Sequence, residues 1–164
     1  MSLTDTLDDR ALVLVLQEFT EELRGTAEPS APLTESEARE SLRALTDGAD
    51  LEGVLGDEAS ATAAARRLLA VVLEDADTAP VAAPIAADPP VDDQLAVETA
   101  VTGIVVLAAL VSWLQTKVEI KVHRKDGKTE FLFHLRKSAA DPRTLRNVTE
   151  TATQILTGNQ PPQL

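Results

Sequence analysis

Apolar residues recur at helical spacing near the start of the chain. Leu12, Val15, Leu16, Phe19 and Leu23 fall on one face, and Gly25 follows as a stop. This predicts a first helix over Asp8 to Leu23. A loop with Pro29 and Pro32 comes next. Thr34-Glu35-Ser36-Glu37 then has the form of a capping box, in which hydroxyl and carboxylate satisfy each other's free amides. The second helix is expected to run to Thr46, with Ala38, Leu42 and Leu45 inward. Gly53 and Gly56 are expected to break the next stretch. A third helix follows over Ala59 to Asp75, with Ala61, Ala65, Leu68, Leu69 and Val72 on its inner face.

Thr78 to Asp93 breaks the pattern. Pro80, Pro84, Pro89 and Pro90 stand among small and acidic residues. Proline removes amide donors and restricts its predecessor, so a semi-extended linker without helix or sheet is expected. After it, Gln94 to Thr116 reads as a helix apolar over most of its circumference. Its polar residues Glu98, Thr102, Ser112 and Thr116 fall in one narrow stripe completed by Ala109, the pattern of a buried helix.

Two alternating runs then flank Asp126-Gly127, a strong signal for a two-residue hairpin turn. Pairing across it sets Val122 opposite Phe131, Ile120 opposite Phe133 and Val118 opposite Leu135, giving a wholly apolar face. The other face pairs His123 with Glu130 and Glu119 with His134. One register satisfies both faces, and a slip of one residue ruins both. A bulged glycine turn is the alternative and would shift the pairing. Asp141-Pro142 suits the N-cap and first position of a last helix, with Leu145, Val148, Ala152, Ile155 and Leu156 inward and Gly158 closing it. The expected fold class is therefore α+β. An acidic helical unit (1–77) and a Pro/Ala-rich linker (78–93) precede a helix–hairpin–helix unit (94–158) and a short tail (159–164).

Composition sharpens this picture. The 164 residues are 44% hydrophobic but only 2% aromatic, so the core must be built from Leu, Val and Ala. The absence of cysteine excludes disulfides and thiolate metal sites. Residues 1–93 carry 21 acids and 6 bases, a net −15, whereas residues 94–164 carry 6 acids and 9 bases, a net +3. Phosphate backbones would be repelled by the first half, so no nucleic-acid partner is expected. The opening residues have neither a basic start nor an apolar run, so no signal peptide is expected and the cytoplasm is the expected compartment.

Thr99 to Thr116 is uncharged over 18 residues, about 27 Å of helix against about 30 Å of hydrocarbon. A membrane tether through 99–116 is thus the alternative to a buried helix, with Lys117, Lys121, Arg124 and Lys125 as basic flanks. Six of the 18 are Thr, Gly, Ser or Gln, and the strand begins directly afterwards, which favours burial. The two histidines opposite two carboxylates lie on the outer face of a hairpin, where opposite charges pair routinely, so no catalytic residues are assigned. Asp47 and Glu58 have the end-to-end spacing of a calcium loop, but Ala49, Leu51 and Glu52 stand between them where oxygen ligands and a glycine belong. No metal, cofactor or small-molecule substrate is implied. Lys128, Arg136 and Lys137 extend the basic cluster around the hairpin without interleaved aromatics, as a solvated face does. An enzyme or nucleotide-responsive factor has no residues to support it.

The order of apolar helix, Trp113-Leu114-Gln115-Thr116-Lys117, Asp-Gly hairpin and closing helix resembles the effector-associated constant component family of bacteria, over about Val101 to Leu156. That family carries an N-terminal strand before its apolar helix, where this chain has an acidic helical region and a Pro-rich segment. The resemblance implies a part in multi-gene conflict systems directed against phage and other invaders, with no catalytic residues to carry over. The resulting expectation is a non-catalytic adaptor acting through a protein partner or self-association. Two strands alone are marginal and leave unpaired edges. The contact is therefore expected on a hairpin edge and the apolar helix, at Ile104, Leu107, Val111, Trp113, Leu114, Lys121 and Leu132.

Overall fold

A computed structural model describes residues 6–26, 34–46, 51–89, 102–135 and 142–158. Within them lie seven helices and one two-stranded antiparallel sheet, an α+β fold that is mostly helical. The helices are α1 (Asp9–Thr26), α2 (Glu35–Leu45), α3 (Leu51–Gly56), α4 (Glu58–Glu74), α5 (Ala79–Ala87), α6 (Thr102–Lys117) and α7 (Pro142–Thr157). The strands β1 (Val118–Lys125) and β2 (Lys128–Leu135) stand between α6 and α7.

Local chemistry fixes the helix starts. The Asp8 carboxylate accepts the Ala11 amide at 2.7 Å and opens α1. The capping box of α2 forms as the sequence indicates: the Glu37 amide donates to Thr34 Oγ1 at 3.1 Å, and the Thr34 amide donates to Glu37 Oε1 at 3.0 Å. Asp57 caps α4 by accepting both the amide and the hydroxyl of Ser60. The inward faces also match. Leu12, Val15, Leu16, Phe19 and Leu23 of α1 are buried, as are Ala38, Leu42 and Leu45 of α2 and Ala61, Ala65, Leu68, Leu69 and Val72 of α4. On α7, Val148, Ala152, Ile155 and Leu156 are buried, and Gly158 ends the helix at φ +74°.

Helix α6 is the spine of the fold. It packs most extensively against α1 and α4, then α3 and α2, and also touches α7. Its buried residues join those of the N-terminal helices in one hydrophobic cluster running from Leu7 to Leu156. On this helix Ile104 is exposed, and Ala108, Gln115, Thr116 and Lys117 are half-buried. The rest of it is enclosed, as its pattern predicts, including Thr102, Ser112 and Ala109 of the polar stripe. Small side chains are what permit this. Gly103 sits so close to α3 that a Cβ there would lie 2.2 Å from the Leu55 carbonyl oxygen. Among the described residues no helix is long and apolar enough to cross a membrane, which does not favour the tether.

Two segments differ from expectation. The stretch with Gly53 and Gly56 forms the short helix α3, because Leu51 and Leu55 are buried one turn apart and packing outweighs weak propensity. Residues 79–87 are helical instead of extended. Pro80 stands in the first turn, where its missing amide costs nothing, and Pro84 is exposed inside the helix. Thr78 is fully buried and its hydroxyl donates to the Val72 carbonyl at 2.8 Å, which turns the chain so that Ala82 and Ala86 enter the core. Residues 90–93 and 159–164 lie outside the described residues, as does Asp141.

Candidate interaction surface

The hairpin grows directly out of the spine, since α6 ends at Lys117 and β1 begins at Val118. Its register is the one the alternation dictates: Val118↔Leu135, Ile120↔Phe133, Val122↔Phe131 and His123↔Glu130. The turn residues Asp126 and Gly127 have φ of 54° and 75°, the two positive values that a type I′ turn requires, and no bulge shifts the pairing. Asp tolerates this conformation and Gly adopts it without cost.

The base of the hairpin is anchored by a cluster that sequence reading did not find. The Trp113 indole donates to Asp75 Oδ2 at 2.9 Å, and the Lys117 ammonium donates to Asp75 Oδ1 and Asp77 Oδ2, each at 2.7 Å. The Asp77 amide donates to Asp75 Oδ1 at 2.9 Å and completes the ring. The side chains of Asp75 and Lys117 keep only 12% and 17% of their exposure, so this is a largely desolvated ion pair. Burial alone would raise the Asp75 carboxyl. Hydrogen bonds from Lys117, the Asp77 amide and Trp113 outweigh it and hold that carboxyl below its ordinary value. Burial likewise works to lower the Lys117 ammonium, but Asp75 and Asp77 hold it above its ordinary value. The cluster ties the turn after α4 to the last turn of α6, where the hairpin departs.

The tip is tied as well. Arg124 Nη2 donates to Glu37 Oε2 at 3.0 Å, while the other oxygen of Glu37 closes the capping box of α2. The Thr34 backbone amide, helped by Arg124, keeps the Glu37 carboxyl below its ordinary value. Between base and tip the apolar face is only partly covered. Val118 is fully buried, whereas Ile120, Val122 and Phe131 are half-buried. Lys121, His123, Lys125, Lys128 and Glu130 are exposed. Among the described residues no third strand joins the sheet, so both strands are edges.

The expected contact residues divide. Leu107, Val111, Trp113 and Leu114 are core residues of this chain, each at most 5% exposed, because α6 is enclosed by its own helices and needs no second chain to cover it. Ile104 is 45% exposed and Lys121 is exposed. Leu132 stands on β2 opposite Lys121, and its side chain lies outside the described residues, as do those of Phe133, His134 and Leu135. Of the basic cluster, Lys117 is engaged with Asp75 and Asp77, and Arg136 and Lys137 lie outside the described residues. Among the described residues no group of three or more His, Cys, Asp or Glu could hold a metal. No family model, curated protein or solved structure matches the chain.

Proposed function

We propose that this protein is a non-catalytic, cytoplasmic adaptor or associated component of a bacterial conflict or signalling system, acting by protein–protein contact through its hairpin. One observation carries the reading: a two-stranded sheet with both edges unpaired among the described residues, held at base and tip yet only half covered on its apolar face. Strand edges offer main-chain hydrogen bonds to an incoming segment, and an anchored hairpin loses little freedom when it accepts one. The likeness of Trp113 to Lys117 and the following hairpin to effector-associated constant components supplies the biological setting.

The test is co-expression with the products of the genes flanking this one. A stable complex is expected. Lys121→Glu and Val122→Ser should each weaken it by about tenfold or more, with helical content unchanged. The reading fails if no flanking product binds, or if binding is indifferent to both substitutions.

A further inference from the structure

The two edges of the hairpin are not equivalent. β1 carries Lys121, Arg124 and Lys125 against Glu119, and lysines on an edge are a common defence against strand pairing. β2 reads Lys-Thr-Glu-Phe-Leu-Phe-His-Leu, with one lysine and one glutamate, and is formally neutral with half its residues apolar. We propose that β2 pairs antiparallel with β2 of a second copy of this chain, making a continuous four-stranded sheet across a two-fold axis at Leu132. The proposal rests on reading the hairpin as the interacting element, and it names the occupant of one edge.

Register and charge select this arrangement. Lys125 and Lys128 flank the two-residue turn as a hydrogen-bonded pair, so alternate residues of β2 from Lys128 onward direct their backbone groups toward β1. The backbone groups of Thr129, Phe131, Phe133 and Leu135 therefore point to the open edge. A two-fold axis perpendicular to the sheet keeps matching faces on the same side and requires the axis to pass through a residue. Two axes use nearly all of the strand, at Phe131 or at Leu132. The first sets Lys128 level with His134 of the second copy, and Glu130 level with Leu132. The second sets Glu130 level with His134, Phe131 with Phe133, and Leu132 with itself. Only the second sets a carboxylate level with an imidazole and apolar with apolar. Either axis makes the outward-pointing positions the hydrogen-bonded pairs, and the second gives about eight backbone bonds in all.

The same operation on β1 fails. An axis at Lys121 brings two lysines to the closest approach in the ladder, and an axis at Val122 sets Lys121 against His123 and Ile120 against Arg124. Pairing through β2 leaves the basic β1 edge of each copy for a different partner.

The chain has no cysteine, so a single introduced one reports the axis directly. In the full chain, Leu132→Cys should form a disulfide-linked dimer under mild oxidation, because residues facing each other across a non-hydrogen-bonded pair lie within disulfide reach. Lys121→Cys should form no disulfide-linked dimer under the same conditions. The unmodified chain should sediment as a dimer at tens of micromolar. Sedimentation as a monomer at that concentration overturns the proposal, as does crosslinking at position 121 that equals or exceeds that at 132. A monomer would leave binding of a flanking gene product untouched. Loss of that binding, with the dimer intact, would overturn the adaptor reading alone.

Discussion

Replacing Asp75 with alanine isolates what the Trp113–Asp75–Lys117 cluster contributes. The carboxylate accepts from the Trp113 indole, the Lys117 ammonium and the Asp77 amide at 2.9, 2.7 and 2.9 Å. Trp113 is 3% exposed, so its N–H would be stranded without water, at a cost of about 1–3 kcal/mol. Lys117 keeps Asp77 and would lose only part of its partnership, about 1 kcal/mol more. The sum is about 2–4 kcal/mol, a large share of the roughly 5–15 kcal/mol that holds a domain folded. Urea unfolding followed by circular dichroism measures it. Asp9→Ala is the internal comparison: its partner Arg66 is 2.9 Å away, but Asp9 is 75% exposed, so the loss should stay within about 0.5 kcal/mol.

Acid supplies a second check on the same residue. The Asp75 carboxyl titrates lower in the folded chain than in the unfolded one, so its contribution is present above the unfolded value of about 3.9 and is lost as pH falls through the folded value. Lys117 titrates higher when folded, so its contribution is present below about 10.4 and is lost as pH rises through the folded value. The stability gap between the natural chain and Asp75→Asn should therefore be widest at neutral pH and close on acidification. A loss below about 0.5 kcal/mol for Asp75→Ala, or a gap for Asp75→Asn that does not narrow in acid, would refute the reasoning.

Three further outcomes follow from packing. Gly103→Ala drives a methyl group against the Leu55 carbonyl and should lower stability by about 1–3 kcal/mol in urea unfolding. Arg67→Ala removes a largely covered guanidinium that donates to the Ile155 and Leu156 carbonyls at the end of α7, and should cost about 1–3 kcal/mol, read as early hydrogen exchange of α7 amides. Pro84→Ala restores an amide inside α5 at an exposed position and should raise stability by about 1–2 kcal/mol; a lowered melting temperature would contradict the helical packing of residues 79–87.

The parts of the fold legible in the sequence are those whose signals are local. Asp126-Gly127 and the alternation around it determine the hairpin register residue by residue, because each side chain's face depends only on parity from the turn. Thr34 and Glu37 locate the start of α2 because they are three residues apart. Residues 79–87 read as a linker because proline dominates their local signal, whereas the pull of Ala82 and Ala86 comes from a core formed by distant helices. The enclosure of α6 was legible in its nearly continuous apolar circumference, and the small size of its threonine, serine and glycine lets other helices close on that face. The anchoring cluster lies beyond sequence reading, since Asp75 and Trp113 are 38 positions apart and neither has a distinctive local context. Among the expected contact positions on the apolar helix, all but Ile104 are core, because hydrophobicity alone does not say whose core it is.

Trp113 has a consequence of an optical kind. It is the only tryptophan in a chain without tyrosine, so nearly all near-ultraviolet emission comes from one indole. That indole is 3% exposed and hydrogen-bonded to a carboxylate, and it lies five residues before the start of the hairpin at Val118. Its emission should be blue-shifted relative to free indole and should move to the red when the turn after α4 lifts from α6. The chain thus carries a built-in, single-site probe at the junction between helical body and hairpin, and binding events at the hairpin can be followed without any label.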